Sequence, residues 1–318
     1  MCTKARFFWS KRTPEAMRTS LQLYQQAIRL QPRYAPAYAG EAMCFAVMAT
    51  ASSFPADEMG RSTVEAAKQA IALDPNLAEA YAALGMVAFG VYYDWKKADA
   101  DFSRALELNP GFATAHQWYG LSLLYAGRFD EASREMKKAI QIDPVSMALY
   151  AADGMVSYYA RCYDEAIATG HKLLEMDPSF RNAHVLLGVA LEAKHEWTAA
   201  EREYNSAGLA SSGDAEALAR LGRLYASTGR KGKAEEILRK LLAPASGEYV
   251  DPYQLAYVYT ALGRKADALD WLAKAVHQHT ALTMKVDPYF DPLRQEPEFN
   301  RLLAEANLAD AKPAVAQR

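Results

Sequence analysis

The sequence predicts an all-α chain, a solenoid of two-helix units stacked one on the next. Three observations carry this. A short phrase recurs along the 318 residues, as AIRLQPRYAPAY, AIALDPNLAEAY, ALELNPGFATAH, AIQIDPVSMALY and LLEMDPSFRNAH. Its prolines, Pro32, Pro75, Pro110, Pro144 and Pro178, lie 43, 35, 34 and 34 residues apart. A period that settles at 34 marks a helix-turn-helix repeat. Within a period, apolar residues fall at i, i+3, i+4 and i+7 twice over, the signature of one amphipathic helix after another.

Composition agrees. The chain is 51% apolar and 23% charged, ordinary for a globular protein. Its 17 Gly and 14 Pro are fewer than a turn-dense all-β chain would carry. A net charge of −2 supplies no basic face for phosphate neutralisation, so nucleic acid is not the expected partner. Cys2, Cys44 and Cys162 are odd in number and far apart, which excludes a disulfide framework or zinc ribbon. The opening MCTKARFFWSKRTPEAM lacks the apolar run of a signal peptide, and no stretch approaches the ~20 apolar residues of a membrane span. A cytoplasmic protein with no membrane contact is expected.

The units follow in order. In residues 1–34, Tyr24, Ala27 and Pro32 make a good second helix, while the first, Thr3–Lys11, is short. It reads as a repeat cut at its front, and the natural protein is expected to begin earlier. Residues 35–77 keep Ala42, Phe45, Ala67 and Ala70 in register, with a long inter-helix loop near 48–60. Residues 113–146 are the cleanest unit. His116, Tyr119, Gly120 and Leu123 form one stripe, and Ala132, Met136 and Ala139 form the next. Gly127 breaks the chain between them, since Gly takes positive φ at little cost. Pro144 stops the second helix. Further units are read at 78–112, 147–180, 181–214, 215–248 and 249–280. In the unit at 181–214, Ser211, Ser212 and Gly213 replace the closing Pro. The solenoid is thus placed at 1–280. Residues 281–308 follow as a capping segment, in which Phe290, Leu293, Phe299, Leu302 and Leu303 cover the last unit's apolar face. Residues 309–318 are expected to form a disordered tail.

This pattern resembles the tetratricopeptide repeat. That family places a large residue at position 4, Leu-Gly at 7 and 8, Ala at 20 and 27, an aromatic at 24 and Pro at 32. Residues 78–112 supply Tyr81, Leu84, Gly85, Ala98, Phe102, Ala105 and Pro110. Residues 181–214 supply His184, Leu187, Gly188, Ala200, Tyr204 and Ala207. The resemblance implies a right-handed α-solenoid of about eight units. The phrases FFWSKRTPEAM, YYDWKKADADFSRALELNP and VDPYFDPLRQEPEFNRLL further resemble the C-terminal repeat region of bacterial winged-helix transcriptional regulators, Ser/Thr kinases and adenylate cyclases. That likeness implies the regulatory part of a signalling or transcription-regulatory protein. As an alternative, the chain would be the detached C-terminal region of a kinase or cyclase whose catalytic domain lies upstream. It carries over no catalytic residue.

No catalytic constellation, cofactor site or metal site is read from the sequence, so a non-enzymatic chain is expected. The stretch from Gly229 to Ala234 ends in Ala where a phosphate loop needs Ser or Thr, and it falls on an ordinary turn. His116 and His184 sit at packing positions. His277 and His279 are two apart, about 200° around a helix, and cannot share an ion easily. His171 and His195 have no acidic or thiol partner at ligand spacing. Asp287 and Asp291 each precede a Pro and read as turn openers.

The informative candidate is the groove. In the resembling family the first helix of each unit faces a concave surface through positions 2, 5, 9, 12 and 13. Here these yield Phe89, Gln117, Leu121, Tyr125, Met155, Tyr158, Tyr159, Arg223 and Tyr257 as a protein-binding or peptide-binding surface. On a tightly wound solenoid the tyrosines would instead bury one another. The Lys and Asn of the family's carboxylate clamp are replaced by pairs such as Gln117/Leu121 and Val185/Val189, so no clamp can assemble.

Overall fold

The structure is a computed structural model and describes residues 1–50, 54–209, 215–243 and 249–309. Among these residues it is all-α, with eight helix-turn-helix pairs and no strand. The pairs are α1 (Cys2–Ser10) with α2 (Pro14–Leu30), α3 (Ala35–Ala49) with α4 (Ala56–Leu73), and α5 (Ala78–Gly90) with α6 (Trp95–Leu108). Next come α7 (Ala113–Tyr125) with α8 (Phe129–Ile142), α9 (Met147–Tyr159) with α10 (Tyr163–Met176), and α11 (Arg181–Ala193) with α12 (Trp197–Leu209). The last pairs are α13 (Ala215–Ser227) with α14 (Lys231–Leu242) and α15 (Pro252–Ala261) with α16 (Lys265–His277). A 3-10 helix (Pro288–Leu293) and α17 (Pro297–Glu305) follow. The odd-numbered helices α1 to α15 are the first helices of their pairs, called A helices below; their partners are B helices. The chain divides into two compact units, residues 1–122 and residues 123–318.

Small residues let the helices of a pair approach. A Cβ added at Gly188 would lie 2.3 Å from the Tyr204 ring, and one at Gly85 would lie 3.0 Å from the Phe102 ring. The aromatic fills the space that the missing side chain leaves, which is how close packing is reached here. Ala98, Ala105, Ala132, Ala139, Ala200 and Ala207 are wholly buried for the same reason.

The turns repeat as faithfully as the helices. Two residues before each of seven B helices the backbone enters the left-handed region. The positions are Arg12, Tyr93, Gly127, Arg161, His195, Gly229 and Gly263. Only three of these seven are Gly, so the geometry is imposed by the helix pair rather than by the residue. Between pairs, Asp74, Asn109 and Asp177 each accept from the backbone N–H two residues on, at 2.8 to 3.1 Å. These Asx turns fix the proline-bearing connection.

A further bond sets the position-4 side chain. Tyr38, His116, Tyr150 and His184 each donate to the carbonyl of the proline six residues back, Pro32, Pro110, Pro144 and Pro178, at 2.9 to 3.3 Å. The position is therefore more than a packing position.

The insertion in the second pair lengthens the helices more than the loop. α3 has 15 residues and α4 has 18, and the connection expected over 48–60 spans only residues 50–55, of which 51–53 lie outside the described residues. The break expected at Ser211–Gly213 also lies outside them, as does nearly all of the expected tail.

Candidate functional site

In the first unit, α1 stands against α2 and α3 as a wall. Ser20 Oγ donates to the Ala5 carbonyl at 2.7 Å, and the Trp9 indole N–H donates to the Met43 carbonyl at 3.2 Å. The Arg12 guanidinium covers the Trp9 ring at 3.5 Å, and Trp118 meets Trp9 edge-on at 6.2 Å. Between this wall and the starts of three successive A helices lies a cavity of about 450 Å³. Arg6 and Trp9 line it from α1, Tyr34, Pro36 and Met43 from the second pair, and Glu79, Phe112 and Thr114 from the next two. Gly40 also lines it and leaves room for the Tyr24 ring, which a Cβ would meet at 2.2 Å. Arg6 and Glu79 approach to 3.9 Å, but Arg6 is three-quarters exposed, so the pair is loosely held. The lining mixes aromatic faces with a cation, a carboxylate and a hydroxyl, the makeup of a site that orients a ligand while burying part of it.

The second unit differs. Its A-helix side is filled by the segment between α16 and α17. The Tyr257 hydroxyl donates to Asp287 at 3.0 Å, and its ring stacks on Phe290 with centroids 5.4 Å apart. Tyr253 meets Phe290 edge-on at 5.2 Å and shares a hydrogen bond with Thr283 at 2.9 Å. Deeper in, the buried Glu192 carboxylate accepts from Tyr204 at 2.6 Å, Tyr289 at 3.1 Å and Arg223 at 2.6 Å. The Arg223 guanidinium lies 3.3 Å over the Tyr289 ring. Burial disfavours its charge, but Glu192 outweighs burial and the pKa is raised. Arg220 and Arg181 hold Glu216 between them, each at 2.9 Å. Burial pushes the Glu216 carboxyl up, and the two guanidinium groups overcome it and bring the pKa down to about 2. Burial raises the Asp287 carboxyl despite the Tyr289 N–H and Arg220 near it.

The sequence-derived groove residues fall into place accordingly, and the open aromatic wall they suggested needs correcting. Tyr158, Tyr159 and Tyr257 are 1%, 7% and 4% exposed. They lie beneath or beside the segment 283–293, and burial together with Asp287 holds their hydroxyls well above pKa 10. Arg223 is drawn into the Glu192 network. Tyr125 and Met155 are half-buried, and burial raises the Tyr125 hydroxyl to about 12. In the first unit, Phe89 is 1% exposed, stacked on Trp95 and tilted against Phe102, so it belongs to the core of its own pair. Gln117 and Leu121 are half-buried. The residues that sequence reasoning missed are Arg220 and Tyr289, together with the partners of Glu192. The legible signal was a Glu and two Arg on A helices opposite an Asp-Pro-Tyr-Phe-Asp segment, a charge complementarity that the stripe count did not weigh.

Other candidates resolve into structure. Gly229 is the left-handed turn residue and Gly232 lies inside α14. His195 takes a left-handed turn and packs on Trp197 at 4.9 Å. Asp287 caps the 3-10 helix by accepting from the Tyr289 N–H. Among the described residues no group of three His, Cys, Asp or Glu could hold a metal ion, and no helix is long and apolar enough to cross a membrane.

Comparison with known proteins follows the same repeats. Residues 94–146 and 154–215 match one tetratricopeptide-repeat model, and residues 215–243 match a second. No curated protein sequence matches. Among solved structures, pilF of Pseudomonas aeruginosa is 20% identical with a TM-score of 0.51, over 67% of this chain and 95% of that one. The APC/C hetero-tetramer Cut9–Hcn1 aligns at 17% identity and a TM-score of 0.60, over 91% of this chain and 52% of that one. A tetratricopeptide repeat protein from Parabacteroides merdae aligns at 15% identity and a TM-score of 0.57, over 79% and 93%. At these identities the likeness is one of fold. The resemblance to kinases, cyclases and transcription regulators has no counterpart among these three.

Proposed function

We propose that this chain, a tetratricopeptide-repeat protein, is a non-enzymatic binding module that holds a protein or peptide segment in the cavity of its first unit. The cavity is the observation that carries the reading. It is bounded by α1 and the starts of three successive A helices, so an extended segment laid across it would touch several repeats at once. Such multi-repeat contact is what the curved faces of solenoids provide. The aromatic lining gives contact area, and Arg6, Glu79 and Thr114 give register. The resemblance to bacterial signalling proteins supports placing the module in a regulatory protein, where the bound segment would belong to a signalling partner.

A photo-crosslinking side chain at Thr114 tests this, with one at the exposed Lys138 as the control. A partner protein captured from Thr114 and not from Lys138 is the expected result. Thr114→Trp, which fills the cavity, should then weaken that partner's binding about tenfold. Equal capture from both positions, or binding indifferent to Thr114→Trp, would sink the reading.

A further inference from the structure

One stretch of the second unit touches three A helices and two of the turns between helices. Lys285 Nζ donates to the Ala126 carbonyl, just past α7, at 3.1 Å. Asp291 takes a two-pronged bridge from Arg161, after α9, at 2.9 and 3.0 Å. Tyr289 reaches Glu192 of α11 and lies under Arg223 of α13, and Asp287 accepts from Tyr257 of α15. The stretch is also braced on itself. Arg294 donates to the carbonyls of Lys285 and Asp287 at 2.7 and 3.3 Å and bridges Asp291 at 2.7 Å. It therefore presents a preorganised shape to the wall it covers.

The fit is incomplete. The Tyr158 hydroxyl and Arg223 Nε are buried with no hydrogen-bond partner among the described residues. Buried polar atoms are rarely left so. Both face the surface that the stretch covers, where an additional acceptor would satisfy them.

We propose that the A-helix face of the second unit is a recognition groove for acidic–aromatic peptide segments, and that residues 283–294 occupy it as an internal ligand. Its wall supplies Arg161 and the Tyr257 hydroxyl for carboxylates, and the Tyr257 ring and the Arg223 guanidinium for rings. The occupying stretch answers with Asp287, Asp291, Tyr289 and Phe290. A basic segment would set like charge against Arg161, and a purely aliphatic one would leave Arg161 and the Tyr257 hydroxyl without the carboxylates that Asp291 and Asp287 supply. A partner segment of the same acidic–aromatic chemistry, with one further carboxylate or carbonyl to reach Arg223 Nε, would displace the stretch. The proposal stands apart from the cavity of the first unit.

Two measurements on the full-length chain test it. In hydrogen exchange, the amides of Val286 and Phe290 should exchange at least about tenfold faster than those at the centres of α9, α11 and α13, because the stretch opens while the wall stays folded. Exchange of all of them together at one rate would make the stretch ordinary core and overturn the proposal. The second measurement uses Tyr289→Ala combined with Asp291→Asn, which loosens the stretch and leaves the wall intact. This variant should bind a fluorescein-labelled synthetic peptide of residues 281–295 at least about tenfold more tightly than the wild-type chain does, and adding Arg223→Ala should abolish the gain. A folded variant that does not bind the peptide better than wild type contradicts the proposal. If the variant does not fold, hydrogen exchange on the wild-type chain decides.

Discussion

Tyr158 shows how far a single side chain can be read from sequence. Its place on the groove-facing stripe of α9 was legible, because helical spacing fixes which face a residue occupies. Its burial was not, since the covering stretch comes from residues 130 positions further on and leaves no trace in the local pattern. The same distance hid the partner that Tyr289 makes for Glu192, which by spacing alone is one more polar residue on the groove-facing stripe. The orphan hydroxyl of Tyr158 leads to a definite expectation. Removing a buried, unpaired hydroxyl while keeping the ring removes a desolvation cost and little else. Tyr158→Phe should therefore raise stability by about 1 kcal/mol, read as a higher midpoint in urea at unchanged slope. A loss of stability would mean that the hydroxyl has a partner.

Helices and turns were the most legible elements. The apolar stripes, the small residues at positions 8, 20 and 27 and the closing prolines all reported on contacts within about one repeat length, so a single sequence carried them. The left-handed turn residue was legible only where it was Gly. At Arg12, Tyr93, Arg161 and His195 the helix pair forces the conformation on a side chain that disfavours it, and composition gave no warning. Gly263 isolates this torsional cost. Its φ is +76° and a Cβ built there would meet nothing within 4 Å, so packing cannot contribute. Gly263→Ala should destabilise the chain by about 1 kcal/mol through backbone strain, seen as a lower thermal midpoint. No change in midpoint would show that the α15–α16 turn can relax. The apolar residues after α16 stood out in the sequence, and the reach of Lys285 to the Ala126 carbonyl did not, because a backbone acceptor 159 residues away leaves no sequence signal.

At the scale of the whole chain, stability should depend on acid through Glu216, which joins Arg181 of α11 to Arg220 of α13. Its folded pKa of about 2 lies below the ordinary 4.5. The stabilisation it gives is therefore complete above pH 4.5 and fades as the pH falls toward 2. Glu216→Gln removes this dependence. Wild type should be the more stable at pH 6, and the gap between the two in chemical denaturation should close by about pH 2. A gap that stays constant across that range would show that Glu216 titrates normally. The bond from Lys285 to the Ala126 carbonyl has a consequence for biosynthesis. It joins residues 159 apart in the chain. A nascent chain leaves the ribosome from its N-terminus at roughly 5–20 residues per second. The repeats from α8 onward can pack as they emerge, since each needs only its neighbour. Their tyrosine wall has no cover until residue 294 has cleared the exit tunnel. For roughly ten seconds in every round of translation the wall is therefore bare, and a chaperone or a partner that meets the chain then finds the groove before its own tail does.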